Sequence, residues 1–265
     1  MSKLLKITGY ELKNLTRSKW TILFTVFYFV ICESLFLLED KGEKVILSLF
    51  NFILLFIPVI SLFFGITFIN NEKPFIELLL SQPVRRRDIF NGLYFSLSLS
   101  LTATMLIGVG LPVVLHYHSY KVAIELLLIF FGTSVLLNQV FIGVAFLAAF
   151  VFSDRSKGLL FVIGFWLFTF IIYDIAILII SYVLKDYPVD NLILFITIIN
   201  PVDVGRILLL LQFDIAALMG YTAAIYQMSL GSFLSSLVLK FILLLWAYLP
   251  YFISKLIFRK RDFIL

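Results

Sequence analysis

The chain has 265 residues, 62% of them hydrophobic and 14% charged, with a mean hydropathy of +1.08. Soluble domains are nearer about 45–50% apolar, so one water-facing fold cannot hide this much apolar side chain, whereas a bilayer can. The formal charge of +5 comes from basic residues that flank apolar runs and form no continuous face, which argues against nucleic-acid binding, and a single cysteine, Cys32, excludes an internal disulfide framework or a paired-cysteine motif.

Residues 1–19 mix Leu4, Leu5, Ile7, Leu12 and Leu15 with Lys3, Lys6, Lys13, Arg17 and Lys19. The spacing of Leu4, Leu5, Leu12 and Leu15 predicts a helix lying in the membrane interface, drawn by apolar burial and by anionic membrane lipid. A cleaved signal peptide is not expected, because "ESLFLLED" after the first apolar run has no small-residue cleavage site. Six stretches then carry the roughly 20 mostly apolar residues that a spanning helix needs. They are 20–38, 45–70, 91–115, 122–152, 159–184 and 233–258. Fifteen Lys and Arg residues, among them Lys73, Arg155, Lys157 and Arg259, fall on one side, and Lys41, Lys44, Lys121, Lys185 and Arg206 fall on the other. The asymmetry predicts that both termini are cytoplasmic. The fold class is therefore an all-α integral membrane protein of six spans, in one domain over residues 1–265.

Between spans two and three runs "NEKPFIELLLSQPVRRRDIF", residues 71–90. Pro74 suits the start of a short helix and Pro83 its end. Phe75, Leu78 and Leu79 share one face of such a helix, and an ordered amphipathic helix in a loop wants something to dock on. Along span three, Gly92, Ser96, Ser100, Thr104 and Gly108 recur at i,i+4, a small-residue seam that permits close helix approach and offers a homodimer contact. Asn138 and Gln139 in span four are expected to hydrogen-bond between helices. Charges within the bilayer need partners. Asp174 in span five and Lys240 in span six lie at similar depth, which suggests an ion pair, with Glu33 of span one as the rival partner for Lys240. His116 and His118 form an outward-facing pair, too few ligands to specify a closed metal site.

The outer segment, 185–232, contains a second short helix. Asn200 is a good N-cap, Pro201 suits the first helical position, and Asp203 favours the helix N-terminus. Arg206 reaches Asp203 at i,i+3. Residues 201–212 are thus expected to form a helix outside or along the outer leaflet, which either seals the bundle or offers a docking platform with Phe213, Tyr221, Tyr226 and Met228 as apolar anchors. No GxxxxGK[ST] phosphate-binding loop and no HExxH occurs, so no catalytic residue and no cofactor is expected in this chain.

The segment "NEKPFIELLLSQPVRRRDIFNGLYF" resembles the loop between the second and third spans of type 2 ABC permeases, carried by Glu77, Leu78, Leu79, Leu80, Pro83, Arg85, Arg86, Arg87 and Gly92. The resemblance implies a coupling helix seated in a cleft of a separate ABC ATPase subunit. "IINPVDVGRILLLLQFDIAALMGY" resembles the NosY branch of these permeases, which serves copper processing for nitrous oxide reductase, through Asn200, Pro201, Asp203, Arg206, Phe213 and Asp214; "FWLFTFIIYDIAILII", with Asp174, resembles it too. The resemblance implies a homodimer, an ATPase partner (NosF-like) and a periplasmic β-helical partner (NosD-like) met by the outer segment. A type 2 exporter of drug, lipid or polysaccharide, and an ATP-independent transporter or scaffold, remain as alternatives.

Overall fold

The computed structural model describes residues 3–39, 41–120, 123–184, 190–212 and 232–260. Among these the secondary structure is helical, because a chain in hydrocarbon must satisfy its own backbone polar groups. A first helix, α1 (Lys3–Thr16), precedes the spans. Then come α2 (Lys19–Leu38), α3 (Gly42–Asn71), the short α4 (Lys73–Leu80), α5 (Arg86–Tyr120) and α6 (Ile124–Val151). The fifth span is α7 (Arg155–Leu167), a π-helical turn (Phe168–Ile172) and α8 (Tyr173–Val183). Two short helices, α9 (Asp190–Ile198) and α10 (Pro201–Leu210), lead to the last span, α11 (Ser232–Lys260). Six of these stretches are long and apolar enough to cross a membrane. They fall on the six stretches expected from hydropathy.

The core centres on α6, which is apolar on every side and packs against α3, α11 and α10. Gly143 makes the α11 contact close: a Cβ there would lie 3.0 Å from Pro250 Cβ and 3.2 Å from the Tyr251 nitrogen. The outer helices present lipid faces, such as Ile171, Ile172, Ile175 and Leu178 on the fifth span. Three bonds gather the basic residues at one end of the bundle. Lys3 Nζ donates to the Pro83 carbonyl, Lys73 Nζ to the Ser153 carbonyl at 3.4 Å, and Arg86 Nη1 to the Arg259 carbonyl at 3.1 Å. Beneath that end, Phe90, Phe146, Phe150 and Phe258 lock α5, α6 and α11 with ring centroids 5.0–6.0 Å apart.

Two expectations are corrected here. α1 docks on α5 through Ile7, Glu11 and Leu15, so of the four leucines expected to share one face only Leu15 is buried, while Leu5 is half exposed. The small-residue seam of α5 is filled within the chain and offers no homodimer contact. Gly92 receives α1, where a Cβ would sit 2.6 Å from Ile7 Cγ2. Gly108 receives α2, where a Cβ would sit 2.7 Å from Tyr28 Cβ and 2.8 Å from the Thr25 carbonyl. Ser96, Ser100 and Thr104 between them are buried.

Candidate functional sites

The hairpin at the basic end is built by local rules. α3 ends at Asn71, and Glu72 is both its C-cap and the residue before α4. Pro74 in the first turn costs no needed hydrogen bond, and Ser81 ends the helix by donating from Oγ to the Leu78 carbonyl at 2.8 Å. Ile76 and Leu79 are buried against the bundle, while Leu78 is 55% exposed beside the exposed Pro74 and Glu77. Leu79 therefore holds α4 down, and Leu78 is the apolar residue offered outward. Phe75 is half-buried, stacked on Tyr10 of α1 with centroids 5.7 Å apart, and Leu80 is half-buried as well. Pro83, Arg85 and Arg87 are exposed, whereas Arg86 donates to the Arg259 carbonyl in the last turn of α11, a favourable place for a cation. The outward surface of the hairpin is thus one leucine ringed by Glu77, Pro83 and two arginines.

The second site lies at the middle of the bundle. Asn200 caps α10 as expected, its Oδ1 accepting from Val202 N at 3.0 Å with Pro201 next in the helix. Its Nδ2 donates to the Thr169 carbonyl at 2.7 Å. That carbonyl sits in the π turn, halfway along the fifth span and about 21 Å from either end at 1.5 Å per residue. Trp246, halfway along α11, donates from Nε1 to the Ile198 carbonyl at 2.9 Å. Gly205 approaches Leu137, halfway along α6, where a Cβ would lie 3.1 Å from Leu137 Cδ1. Three spans meet the α9–α10 hairpin at their midpoints, so it re-enters the bundle to about mid-membrane. The expected helix outside or along the outer leaflet is corrected. Asn200, Pro201 and Asp203 are buried, and hold the hairpin rather than presenting a docking surface.

Re-entry brings the charges together. Arg206 Nη1 donates to both Asp174 carboxylate oxygens and Nη2 to one of them, each at 3.3 Å. Its other neighbour is Asp203, with Nη1 to Oδ1 at 3.6 Å, the i,i+3 pair expected from the spacing. The Tyr173 hydroxyl donates to Asp203 Oδ2 at 3.3 Å. The π turn sets Tyr173 and Asp174 toward α10, an example of such turns marking sites of interest. The expected partnership of Asp174 with Lys240 is corrected: Arg206 takes the carboxylate, and Lys240 has no ion-pair partner among the described residues. Glu33 is not its partner either, since both its oxygens lie 3.2 Å from His116 Nε2, and Phe36 stacks on that imidazole at 4.7 Å. Side chains of His118, Phe213, Asp214, Tyr221, Tyr226 and Met228 lie outside the described residues. Among the described residues no three of His, Cys, Asp and Glu converge as metal ligands would.

Asn138 and Gln139 make interhelical bonds. Ser61 Oγ donates to Asn138 Oδ1 at 2.6 Å, Asn138 Nδ2 donates to Thr102 Oγ1 at 3.0 Å, and Ser98 Oγ donates to Gln139 Oε1 at 2.7 Å. Their partners Ser61, Ser98 and Thr102 were not singled out in the sequence, though each is a hydroxyl within an apolar run. Glu11 was also missed. Its signal was a lone acid at i,i+4 from both Ile7 and Leu15, and its two oxygens are buried without a hydrogen-bond partner.

The arrangement is that of a membrane transport subunit: a helical bundle with an outward-facing hairpin at its basic end and a re-entrant helical hairpin fixed by charge in its centre. A family model described as "ABC-2 family transporter protein" matches residues 5–263, and the chain belongs to that family. It is a multi-pass protein of the inner membrane and an ABC-type permease. Two relatives are each described as "Probable ABC transporter permease protein NosY". That of Pseudomonas aeruginosa is 28% identical over 211 residues, covering 77% of this chain and 75% of its own. That of Stutzerimonas stutzeri is 24% identical over 280 residues, covering 98% of this chain and 99% of its own.

Proposed function

We propose that the chain is the permease subunit of a NosY-like ABC transporter. It works as a homodimer with a separate ATPase on its basic, cytoplasmic end and a β-helical partner on the other, in copper or sulfur processing for nitrous oxide reductase. What supports the ATPase contact is the posture of α4, whose buried Ile76 and Leu79 fix a helix that offers Leu78 outward. A push on α4 reaches the bundle by two routes: through Tyr10 to α1, and through Arg86 and the aromatic lock to α11 and α6. α6 and α11 in turn hold the re-entrant hairpin at Gly205 and Trp246. Two relatives of the same described kind, one matched end to end, support the narrower NosY-like assignment. The test is purification from native membrane, with a photo-crosslinker at Leu78 and mass spectrometry of the adducts. An ATPase adduct together with a co-purifying periplasmic β-helical protein is expected. An ATPase adduct with no periplasmic partner favours a type 2 exporter instead, and no ATPase adduct overturns the coupling role.

A further inference from the structure

A cavity of about 420 Å³ opens between α2 and α3, under the last turn of α1 and beside the start of α4. That is the size of a small-molecule site, commonly about 300–1,000 Å³. One end is polar, with Asn14, Asn71 and Glu72; the other is apolar, with Phe24, Phe63 and Val59. From Glu72 to Val59 along α3 is about 20 Å, so the cavity runs from the membrane surface at the basic end into the hydrocarbon. Its shape is that of an amphiphile.

The charge of the polar end narrows the class. Glu72 is partly buried in the cavity wall, and no Lys or Arg lines it. Glu11 lies within electrostatic reach of Glu72, fully buried, its oxygens lacking hydrogen-bond partners. Lys73, next to Glu72 in the chain, is turned away to the Ser153 carbonyl. Ser18 in the cavity wall is flanked in sequence by the exposed Arg17 and Lys19. An acidic polar end with exposed basic residues beside the wall matches a zwitterion whose ammonium meets the carboxylate and whose phosphate stays at the rim. The geometry points to an amphiphile with a primary ammonium head as the occupant of this cavity, supplied by an aminophospholipid of the adjoining leaflet. Ammonium meets Glu72, phosphate meets Arg17 and Lys19, and one acyl chain runs along Phe24, Phe63 and Val59. This site is independent of the cargo and partners proposed above.

Trp20 lines the cavity and reports on it. The full-length protein is placed in phosphatidylcholine nanodiscs doped with lipids brominated on the acyl chain, and the signal is the quenching lost in a Trp20→Phe variant. Brominated phosphatidylethanolamine is expected to quench at a roughly tenfold lower mole fraction than brominated phosphatidylcholine, the effect of one charge-assisted contact. Glu72→Gln abolishes the difference, and Val59→Phe reduces quenching by every brominated chain. Native mass spectrometry of the unmodified protein supplies a second reading, in which retained phosphatidylethanolamine exceeds phosphatidylcholine. Equal quenching by the two lipids, preference for phosphatidylglycerol, or an unaltered preference in Glu72→Gln overturns the proposal. Displacement by dodecylammonium of a quencher that phosphatidylethanolamine cannot displace overturns the lipid as the source.

Discussion

Glu11 offers a quantitative test of how α1 is held. The residue sits on the buried face of α1 between Ile7 and Leu15. Burial, and then the neighbouring Glu72, push its carboxyl up from 4.5 to about 7. Below pH 4.5 the group is protonated whether α1 is docked or not, and it costs nothing. Between pH 4.5 and 7 the docked state keeps a proton that the undocked state has lost, so docking weakens as pH rises through that window. Above pH 7 the loss is complete, and at 1.36 kcal/mol per pH unit it is about 3 kcal/mol as an upper bound. Glu11→Gln is a near-isostere of the protonated acid. It should leave stability unchanged at pH 4.5 and raise it progressively to pH 8. Burial pushes Glu72 up as well, so some pH dependence with the same sign persists in the variant. The assay is thermal unfolding in nanodiscs at pH 4.5, 6, 7 and 8, paired with hydrogen exchange of α1 amides. For a chain of this size the gain at pH 8 corresponds to roughly 2–4 °C per kcal/mol. Parallel profiles for the two proteins, or a destabilised Glu11→Gln at pH 8, would refute the reasoning.

Other substitutions separate close contacts from open space and one ion pair from another. Gly108→Ala sets a methyl 2.7 Å from Tyr28 Cβ and must part α2 from α5, at about 1–3 kcal/mol, while Gly132→Ala meets nothing within 4 Å and should be neutral or slightly stabilising; thermal unfolding of the two distinguishes them. Asn200→Ala loses the cap of α10 and the bond to the Thr169 carbonyl, so it should cost about 1–3 kcal/mol, and Asn200→Ser should recover the cap part alone, as read by hydrogen exchange at Val202. Arg206→Met strips the cation from Asp174 and Asp203 and should destabilise more than Lys240→Met, a ranking that thermal unfolding measures directly. Exchanging Asp174 and Arg206 should recover part of the loss in the same assay. Leu78→Ser should lower ATPase coupling while leaving unfolding unchanged, whereas Leu79→Ser should lower both, because Leu79 is buried and Leu78 is not.

What was legible in the sequence was whatever depends on neighbours along the chain. The six spans follow from runs of apolar residues that must cross about 30 Å of hydrocarbon. The starts of α4 and α10 follow from Pro74, Asn200 and Pro201, because caps are satisfied within one turn. The Asp203–Arg206 pair follows from helical spacing alone. What only the tertiary structure decided was depth and partnership. The same α10 sequence suits a helix on the outer surface or one buried at mid-membrane, and only the path of α9 back to Trp246 and Thr169 chooses between them. That choice carries Arg206 to Asp174 and leaves Lys240 aside, and the docking of α1 and α2 likewise fills the seam of α5. Local hydrogen bonds are set by spacing of a few residues, whereas the partner of a side chain is set by which distant segment returns beside it.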